Sequence, residues 1–202
     1  MTDEQIRREL IRRKRARKRR TLNILRLLIV ILAVAIAVYG GIFIGNKRYE
    51  KDIATRNIDD NNPMVKTAVS QATTKNNKGD KFWSWYGYDS HVPWCATFVS
   101  WCANENGLLK DGTVIKYADC VPAVKWFKSK GKWLDGGEVP KGGDIVFFDW
   151  EGDGWVDHTG IVTGVVDDKV FTVEGNSSDR CRRKRYNVKN PVILGYGVVD
   201  IK

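Results

Sequence analysis

The stretch that decides the fold reads Trp94-Cys95-Ala96-Thr97-Phe98-Val99-Ser100-Trp101, and it follows Pro93. Its apolar residues recur at spacings of three and four, which predicts an amphipathic helix with one buried face. Proline suits the first turn of a helix, because an N–H at that position would have no acceptor. We therefore expect the helix to begin at Pro93, with Cys95 in its first turn.

Cys95 would have the environment of a nucleophile at this helix start. The free N–H groups and the dipole of a helix N-terminus favour an anion, and such positions lower the pKa of a thiol by roughly one to five units. The alternative is structural, because many cysteines on an apolar helix face are small core residues. A partner that accepts the thiol proton is needed to decide between the two.

The basic charge of the chain is concentrated at its N-terminus. The 202 residues include 34 Lys and Arg against 24 Asp and Glu, a formal charge of +10. Residues 1–26 hold 11 of the basic and 3 of the acidic residues, so the remainder is close to balance. Net charge therefore gives no support to a nucleic-acid role for the main domain. A basic arm before an apolar stretch is typical of a topology or lipid-surface signal.

Residues 27–45 contain no charged side chain. As a helix they would be about 28 Å long, close to the roughly 30 Å hydrocarbon core of a bilayer. The basic run from Arg12 to Arg20 marks the cytoplasmic side. We predict an uncleaved transmembrane signal-anchor helix in the cell membrane, with the N-terminus cytoplasmic and residues 46–202 extracellular. A signal peptide cleaved at Ala35-Ile36-Ala37 is the alternative, although the apolar run continues beyond that site.

The predicted organisation has four parts. Residues 1–26 form a basic cytoplasmic arm, 27–45 the membrane helix, 46–62 a polar linker and 63–202 a folded domain. Gly41 and Gly45 form a GxxxG spacing that would allow two membrane helices to pack as a dimer.

The folded part divides into a helical half and a strand half. One helix is predicted to start at Pro63 with Asn62 as its cap, and another to run from about Pro122 to Lys130. Five short segments rich in Val, Ile, Phe and Tyr then read as strands: 143–149, 159–166, 169–173, 183–188 and 193–199. This order predicts an α+β fold, with helices packed on a five- to six-stranded antiparallel sheet.

His158 is the expected base for the thiol. It stands at the start of an apolar strand, and a strand end is rigid enough to hold an imidazole within hydrogen-bond reach. His91 lies four residues before Cys95 in a loop and is the less favoured alternative.

A third group should orient the imidazole. Asp167-Asp168 is predicted to be a two-residue hairpin turn. Counting outward from that turn along antiparallel partners brings His158 close to Glu174 and Asn176. The hairpin therefore joins the base to a carboxylate and an amide.

With these residues in place, the chain from about Pro63 to Lys202 resembles the CHAP family, the cysteine- and histidine-dependent amidohydrolases/peptidases of bacterial and phage cell-wall hydrolysis. The resemblance is carried by Trp94-Cys95-Ala96, Phe98-Val99-Ser100, Gly143-Asp144-Ile145-Val146-Phe147-Phe148, Asp157-His158-Thr159-Gly160-Ile161-Val162 and Glu174-Gly175-Asn176. It implies a papain-like fold with Cys95 as nucleophile, His158 as base and Glu174 orienting the ring. Asn176 is implied as a further polar contributor.

The resemblance also implies a peptidoglycan substrate that is cut at an amide bond. The enzyme would be an N-acetylmuramoyl-L-alanine amidase or an endopeptidase of the stem or cross-bridge, and no cofactor is required. Two alternatives stay open. One is a catalytically silent wall-binding or envelope assembly module on the same fold, and the other is a thiol amidohydrolase with an unrelated substrate.

An acidic stretch before His158 resembles the start of a calcium loop, with Gly154 at its sixth position. Position twelve is Gly160, where an EF-hand has a bidentate Glu, so an acidic hairpin turn is the alternative. Calcium is the one metal that the sequence suggests, and its candidate ligands are Asp149, Glu151, Asp153 and Asp157.

The other cysteines are Cys102, Cys120 and Cys181. An extracellular domain permits disulfides. If Cys95 is free, at most one bridge can form within the chain, and the sequence does not identify its partners.

Overall fold

The computed structural model describes residues 27–42, 61–75 and 78–201, together with Arg20, Ile24, Leu25 and Asp59. The chain divides into two compact units, residues 1–52 and 53–202. Within the first unit, residues 27–42 are helical, and most of their apolar side chains are exposed. Across the described residues, no helix combines the length and the apolar character needed to cross a bilayer.

Several predicted segments lie outside the described residues. They are most of the basic arm 1–26, the end of the predicted membrane helix at 43–45, which includes Gly45 of the GxxxG spacing, and the linker from 46 to 58.

Four helices precede the sheet in the second unit: α1 Pro63–Thr73, α2 Asp80–Tyr86, α3 Cys95–Glu105 and α4 Cys120–Ser129. The predicted start of α1 is confirmed, because Oδ1 of Asn62 accepts hydrogen bonds from the N–H groups of Met64 (3.0 Å) and Val65 (3.2 Å). Such a cap satisfies N–H groups that the helix itself leaves without acceptors.

The start of α3 differs from its prediction. The helix begins at Cys95 rather than at Pro93, because Trp94 has the non-helical φ of −124° of an N-cap residue. Cys95 is therefore the first helical residue, and it still lies in the first turn as predicted.

The sequence pattern does not predict α2, because its aromatic residues follow no helical period. Phe82 of this helix packs against three aromatic rings of the α3 region, with ring centroids 5.2–5.4 Å apart. These rings belong to Trp94, Phe98 and Trp101. The aromatic residues before Cys95 thus hold α3 in place by packing.

Six strands form one sheet: β1 Trp133–Asp135, β2 Ile145–Phe148, β3 His158–Val166, β4 Lys169–Glu174, β5 Arg182–Asn187 and β6 Ile193–Gly197. Their order is β1-β6-β2-β3-β4-β5, and every neighbouring pair is antiparallel. The prediction of an α+β fold with a five- to six-stranded antiparallel sheet is confirmed. β1 is the strand that was not predicted.

The two faces of the sheet have separate cores. On the helical face, Ile145, Phe147 and Ile161 join the buried side chains of the helices. On the other face, a smaller cluster surrounds Phe148 and Tyr196. Since side chains alternate between faces along a strand, the register decides which side chains meet.

The hairpin between β3 and β4 contains an irregularity that the sequence does not reveal. Its turn is as predicted, because Asp167 and Asp168 have φ values of 47° and 58°, as a type I′ turn requires. Gly164 pairs with Phe171, but Val162 pairs with Thr172, so Thr163 is the extra residue of a β-bulge. Beyond this bulge every side chain of β3 faces the opposite side from the one that an unbroken register would give.

Candidate active site

Cys95 is placed where three neighbouring groups favour its thiolate. It is the first residue of α3, and its side chain is only 8% exposed. A hydrogen bond from Cys120 lowers the pKa of Cys95 to about 5, helped by His158 and the N–H of Ala96 and opposed by burial. The thiol of Cys95 is thus ionised at neutral pH.

His158 is the first residue of β3, and its imidazole forms a hydrogen bond with the thiol of Cys95. Burial lowers the pKa of its imidazole, but hydrogen bonds and charge interactions with Cys95 and Glu174 outweigh burial and raise the pKa to about 9. Because the pKa of the thiol is near 5 and that of the imidazole near 9, the pair exists as thiolate and imidazolium at pH values between these two pKa values. A thiolate and a protonated imidazole therefore stand together, in the charge states that thiol catalysis uses.

Glu174 fixes the imidazole from the far side. Its Oε2 lies 3.2 Å from Nε2 of His158, and its side chain is 2% exposed. Its Oε1 accepts hydrogen bonds from Oγ1 of Thr172 at 2.6 Å and Oη of Tyr186 at 2.9 Å. Because Nε2 is engaged by the carboxylate, Nδ1 is the ring nitrogen left to exchange a proton with the sulfur of Cys95.

A glycine makes room for this arrangement. A Cβ at Gly160 would lie 2.7 Å from Cγ of Glu174 and 3.0 Å from the carbonyl oxygen of Val173. The side chain of Glu174 thus crosses the backbone of β3 at Gly160 to reach His158. A residue larger than glycine at position 160 would clash with it.

Cys120 is a site residue that the sequence analysis did not identify, because no recognisable motif surrounds it. It is the first residue of α4, and its side chain is 6% exposed. The chain before α4 is tied to α3, because Oγ of Ser100 donates to the carbonyl of Tyr117 (2.6 Å) and accepts from its N–H (2.8 Å). The hydrogen bond to Cys95, together with burial, raises the pKa of Cys120, so this thiol stays protonated and donates.

Asn176 follows β4 in the left-handed conformation, with a φ of 57°. Its side chain borders the site, but no hydrogen bond joins it to another described residue. The role of Asn176 as a further polar contributor stays a prediction.

A cleft of about 220 Å³ opens beside the ring of His158. One wall is Trp150, whose ring stacks on Phe148 with centroids 4.7 Å apart and an angle of 7° between the planes. The other lining residues are Glu174, Asn176, Ser177, Lys184 and Tyr186.

Comparison with known families agrees with this geometry, because residues 85–176 match the family model described as CHAP domain. This part of the chain is similar to a CHAP domain. The match includes Cys95, His158, Glu174 and Asn176, whereas α1, β5 and β6 lie outside it.

Among solved structures, the chain is similar to one described as "The crystal structure of Ly7917", with 14% sequence identity and a TM-score of 0.45. The similarity covers 68% of this chain and 61% of that one, so the chain spans less than two-thirds of that structure. No curated protein matches the chain.

The alternative base, His91, lies elsewhere on the surface of the matched region. The ring of His91 is 59% exposed, and its Nε2 lies 2.9 Å from Oδ1 of Asp179. The same oxygen accepts a hydrogen bond from Nε1 of Trp94 at 3.0 Å. His91 therefore links the loop before α3 to the loop after β4, and His158 is the histidine that the structure brings to Cys95.

The acidic loop before His158 is held together by hydrogen bonds to its own backbone. The carboxylate of Asp149 accepts hydrogen bonds from the N–H groups of Gly152, Asp153 and Gly154. That of Asp157 accepts one from the N–H of Trp150. Among the described residues, no three His, Cys, Asp or Glu side chains are arranged to hold a metal ion. The geometry favours the turn, and calcium binding by Asp149, Glu151, Asp153 and Asp157 stays a prediction.

All four cysteines are buried, and none of them forms a disulfide in this structure. The disulfide that the sequence allowed among Cys102, Cys120 and Cys181 is not formed.

Proposed function

We propose that this protein is a peptidoglycan hydrolase that cleaves an amide bond through a Cys-His-Glu thiol mechanism. The presence of a CHAP domain supports the reaction class. The observation that carries the proposal is the chain of contacts from the thiol of Cys95 through the imidazole of His158 to the carboxylate of Glu174.

In the first step, the thiolate of Cys95 attacks the carbonyl carbon of the amide. Negative charge develops on the carbonyl oxygen, and the N–H of Cys95 is a suitable donor because a first-turn N–H has no acceptor within its helix. A second donor would come from the loop before α3, where Tyr88 and Asp89 are the candidates. The imidazolium of His158 then gives its proton to the leaving amine, and an acyl-thioester remains on Cys95.

In the second step, neutral His158 accepts a proton from water, and the resulting hydroxide attacks the thioester. The carboxylic acid leaves, and the thiolate and imidazolium pair is restored. Glu174 keeps the ring oriented and stabilises its positive charge throughout, as the acid of a catalytic triad does.

We also propose that residues 27–45 hold the domain at the outer face of the cell membrane, with the N-terminus cytoplasmic. The absence of charge in this stretch and the exposure of its apolar side chains support the proposal. Protease added to intact cells should digest the domain while leaving an epitope tag at the N-terminus protected. Protection of the domain instead would refute this topology.

Digestion of purified peptidoglycan tests the enzymatic function. Wild type should release soluble fragments, and Cys95→Ala should lose at least about 10³-fold in rate, since it removes the nucleophile. Cys102→Ala is the matched control, because it removes another buried thiol of the same helix. Mass spectrometry of the fragments would separate an amidase from an endopeptidase. Binding to peptidoglycan without cleavage by wild type would favour the silent wall-binding module.

A further inference from the structure

The cleft beside His158 contains charge that the proposed mechanism does not use. Glu174 is the one carboxylate among its lining residues. Both oxygens of that carboxylate are already hydrogen-bonded, to Thr172, Tyr186 and His158. Glu174 therefore has little capacity left for a cationic ligand, and the remaining polar groups decide what the cleft can bind.

Lys184 supplies the unused charge. It lies on β5 directly opposite Thr172, so both side chains project on the same face of the sheet as Glu174. Its ammonium group makes no ion pair with any other residue that the structure describes. The amide of Asn176 and the hydroxyl of Ser177 add hydrogen-bond donors on the same rim. A cation surrounded by donors is suited to an anionic group.

Trp150 gives the cleft an apolar wall. Its side chain is 44% exposed, while one face of its ring is held against Phe148. The centroid of the ring lies 6.0 Å from that of His158. A rigid, half-exposed indole beside a cation fits a ligand whose carboxylate is attached to an aliphatic chain.

The position of the cleft shows how it relates to the thiol. His158 and Glu174 line the cleft, whereas Cys95 does not. Because Glu174 contacts Nε2 of His158, the cleft borders the side of the imidazole that faces away from the sulfur. A group bound there would belong to a part of the substrate beyond the bond that is cut.

We propose that this cleft binds a free carboxylate of the stem peptide, with Lys184 recognising the carboxylate and Trp150 packing against the adjacent aliphatic chain. This inference rests on the proposed function. A simpler reason for a lysine on an edge strand is protection against strand pairing. The two roles differ in whether the charge of Lys184 affects the choice of substrate.

The test compares two forms of one peptidoglycan preparation. In one form the stem-peptide carboxylates are free, and in the other they are converted to carboxamides with carbodiimide and ammonia. Initial rates at several substrate concentrations are measured for wild type, Lys184→Met, Lys184→Glu and Lys189→Met. Lys189→Met is the matched control, because Lys189 is an exposed lysine just after β5 that does not line the cleft.

Wild type and Lys189→Met should prefer the free-carboxylate form by about tenfold, mainly through KM, since a charge-assisted hydrogen bond is lost with the amide. Lys184→Met should show no preference, and Lys184→Glu should prefer the amidated form. Thermal unfolding should be nearly unchanged in all three variants, because these side chains are exposed.

Equal preference in wild type and Lys184→Met would overturn the proposal, and so would the absence of any preference in wild type. If Lys184→Met weakened binding to a purified teichoic acid but kept the preference for free carboxylates, Lys184 would instead serve a phosphate polymer. Failure of wild type to cleave either form would refute the proposed function itself, which is a different result from a lost preference.

Discussion

Nε2 of His158 lies 3.2 Å from Oε2 of Glu174, although sixteen positions separate the two residues in the chain. The contact joins the first residue of β3 to the last residue of β4. Because the carboxylate is buried and held by two further donors, it cannot turn away from the ring. This contact fixes the direction in which the other ring nitrogen points, and the chemistry proposed for Cys95 depends on that direction.

The charge states of the pair predict a bell-shaped pH profile of kcat/KM. Below a pH of about 5 the thiolate of Cys95 becomes protonated, and above about 9 the imidazolium of His158 loses the proton needed by the leaving amine. Activity should therefore be broad between these limits. Rates measured from pH 4 to 10 in buffers of constant ionic strength would check this. A single limb centred near pH 8.5 would show that Cys95 is an ordinary thiol.

Replacing Cys120 should weaken the thiolate. The Cys120→Ala variant removes the thiol that donates to Cys95, so the pKa of Cys95 should rise from about 5 and the acid limb should move to higher pH. The pH dependence of alkylation by iodoacetamide reports this pKa directly. Cys181→Ala, which removes a buried thiol outside the site, is the control. An unchanged alkylation profile in Cys120→Ala would contradict the role given to this residue.

Tyr186 is expected to position Glu174 rather than to touch the substrate's reacting atoms. Tyr186→Phe removes one of two hydrogen bonds to Oε1, which should cost about 1 kcal/mol of unfolding free energy. The looser carboxylate should lower kcat several-fold and move the alkaline limb below pH 9. Glu174→Gln, which removes the charge itself, should shift that limb further and lower kcat/KM by roughly 10²-fold. An alkaline limb that stays at wild-type pH in both variants would exclude an electrostatic role for Glu174.

Gly160→Ala should affect activity more than its small size suggests. The new methyl group would lie 2.7 Å from Cγ of Glu174, so either the carboxylate or the backbone of β3 must move. We expect at least a tenfold loss of kcat/KM, with the alkaline limb shifted to lower pH. Gly112→Ala is the control, because it strains a positive φ of 76° far from Glu174 and should cost stability alone. Equal activity in the two variants would show that the position of Glu174 does not depend on the space beside Gly160.

The sequence predicted the large elements because their signals are local. The cap at Asn62, the apolar spacing around Cys95 and the turn at Asp167-Asp168 depend on residues that are neighbours in the chain. Two elements were missed because contacts with other elements, rather than local signals, hold them in place. α2 is a helix held by contacts of Phe82 with rings of α3, and β1 is a three-residue strand held by pairing with β6. Neither element has a periodic pattern of apolar residues in its own sequence.

The sequence by itself determined which residue types meet. The order of the residues indicates a thiol at the start of a helix and an imidazole at the start of a strand. It also indicates a hairpin turn that brings a glutamate back towards that imidazole. Only the tertiary structure decided on which face they meet. An unbroken register from the turn would place His158 and Glu174 on opposite faces of the sheet, and the bulge at Thr163 turns His158 to the face of Glu174. The backbone N–H of Asp59 binds the carbonyl of Thr163 at 2.9 Å, a contact between residues more than a hundred positions apart. Long-range packing of this kind also placed Cys120 beside Cys95, because contacts between distant segments leave no periodic pattern in the sequence.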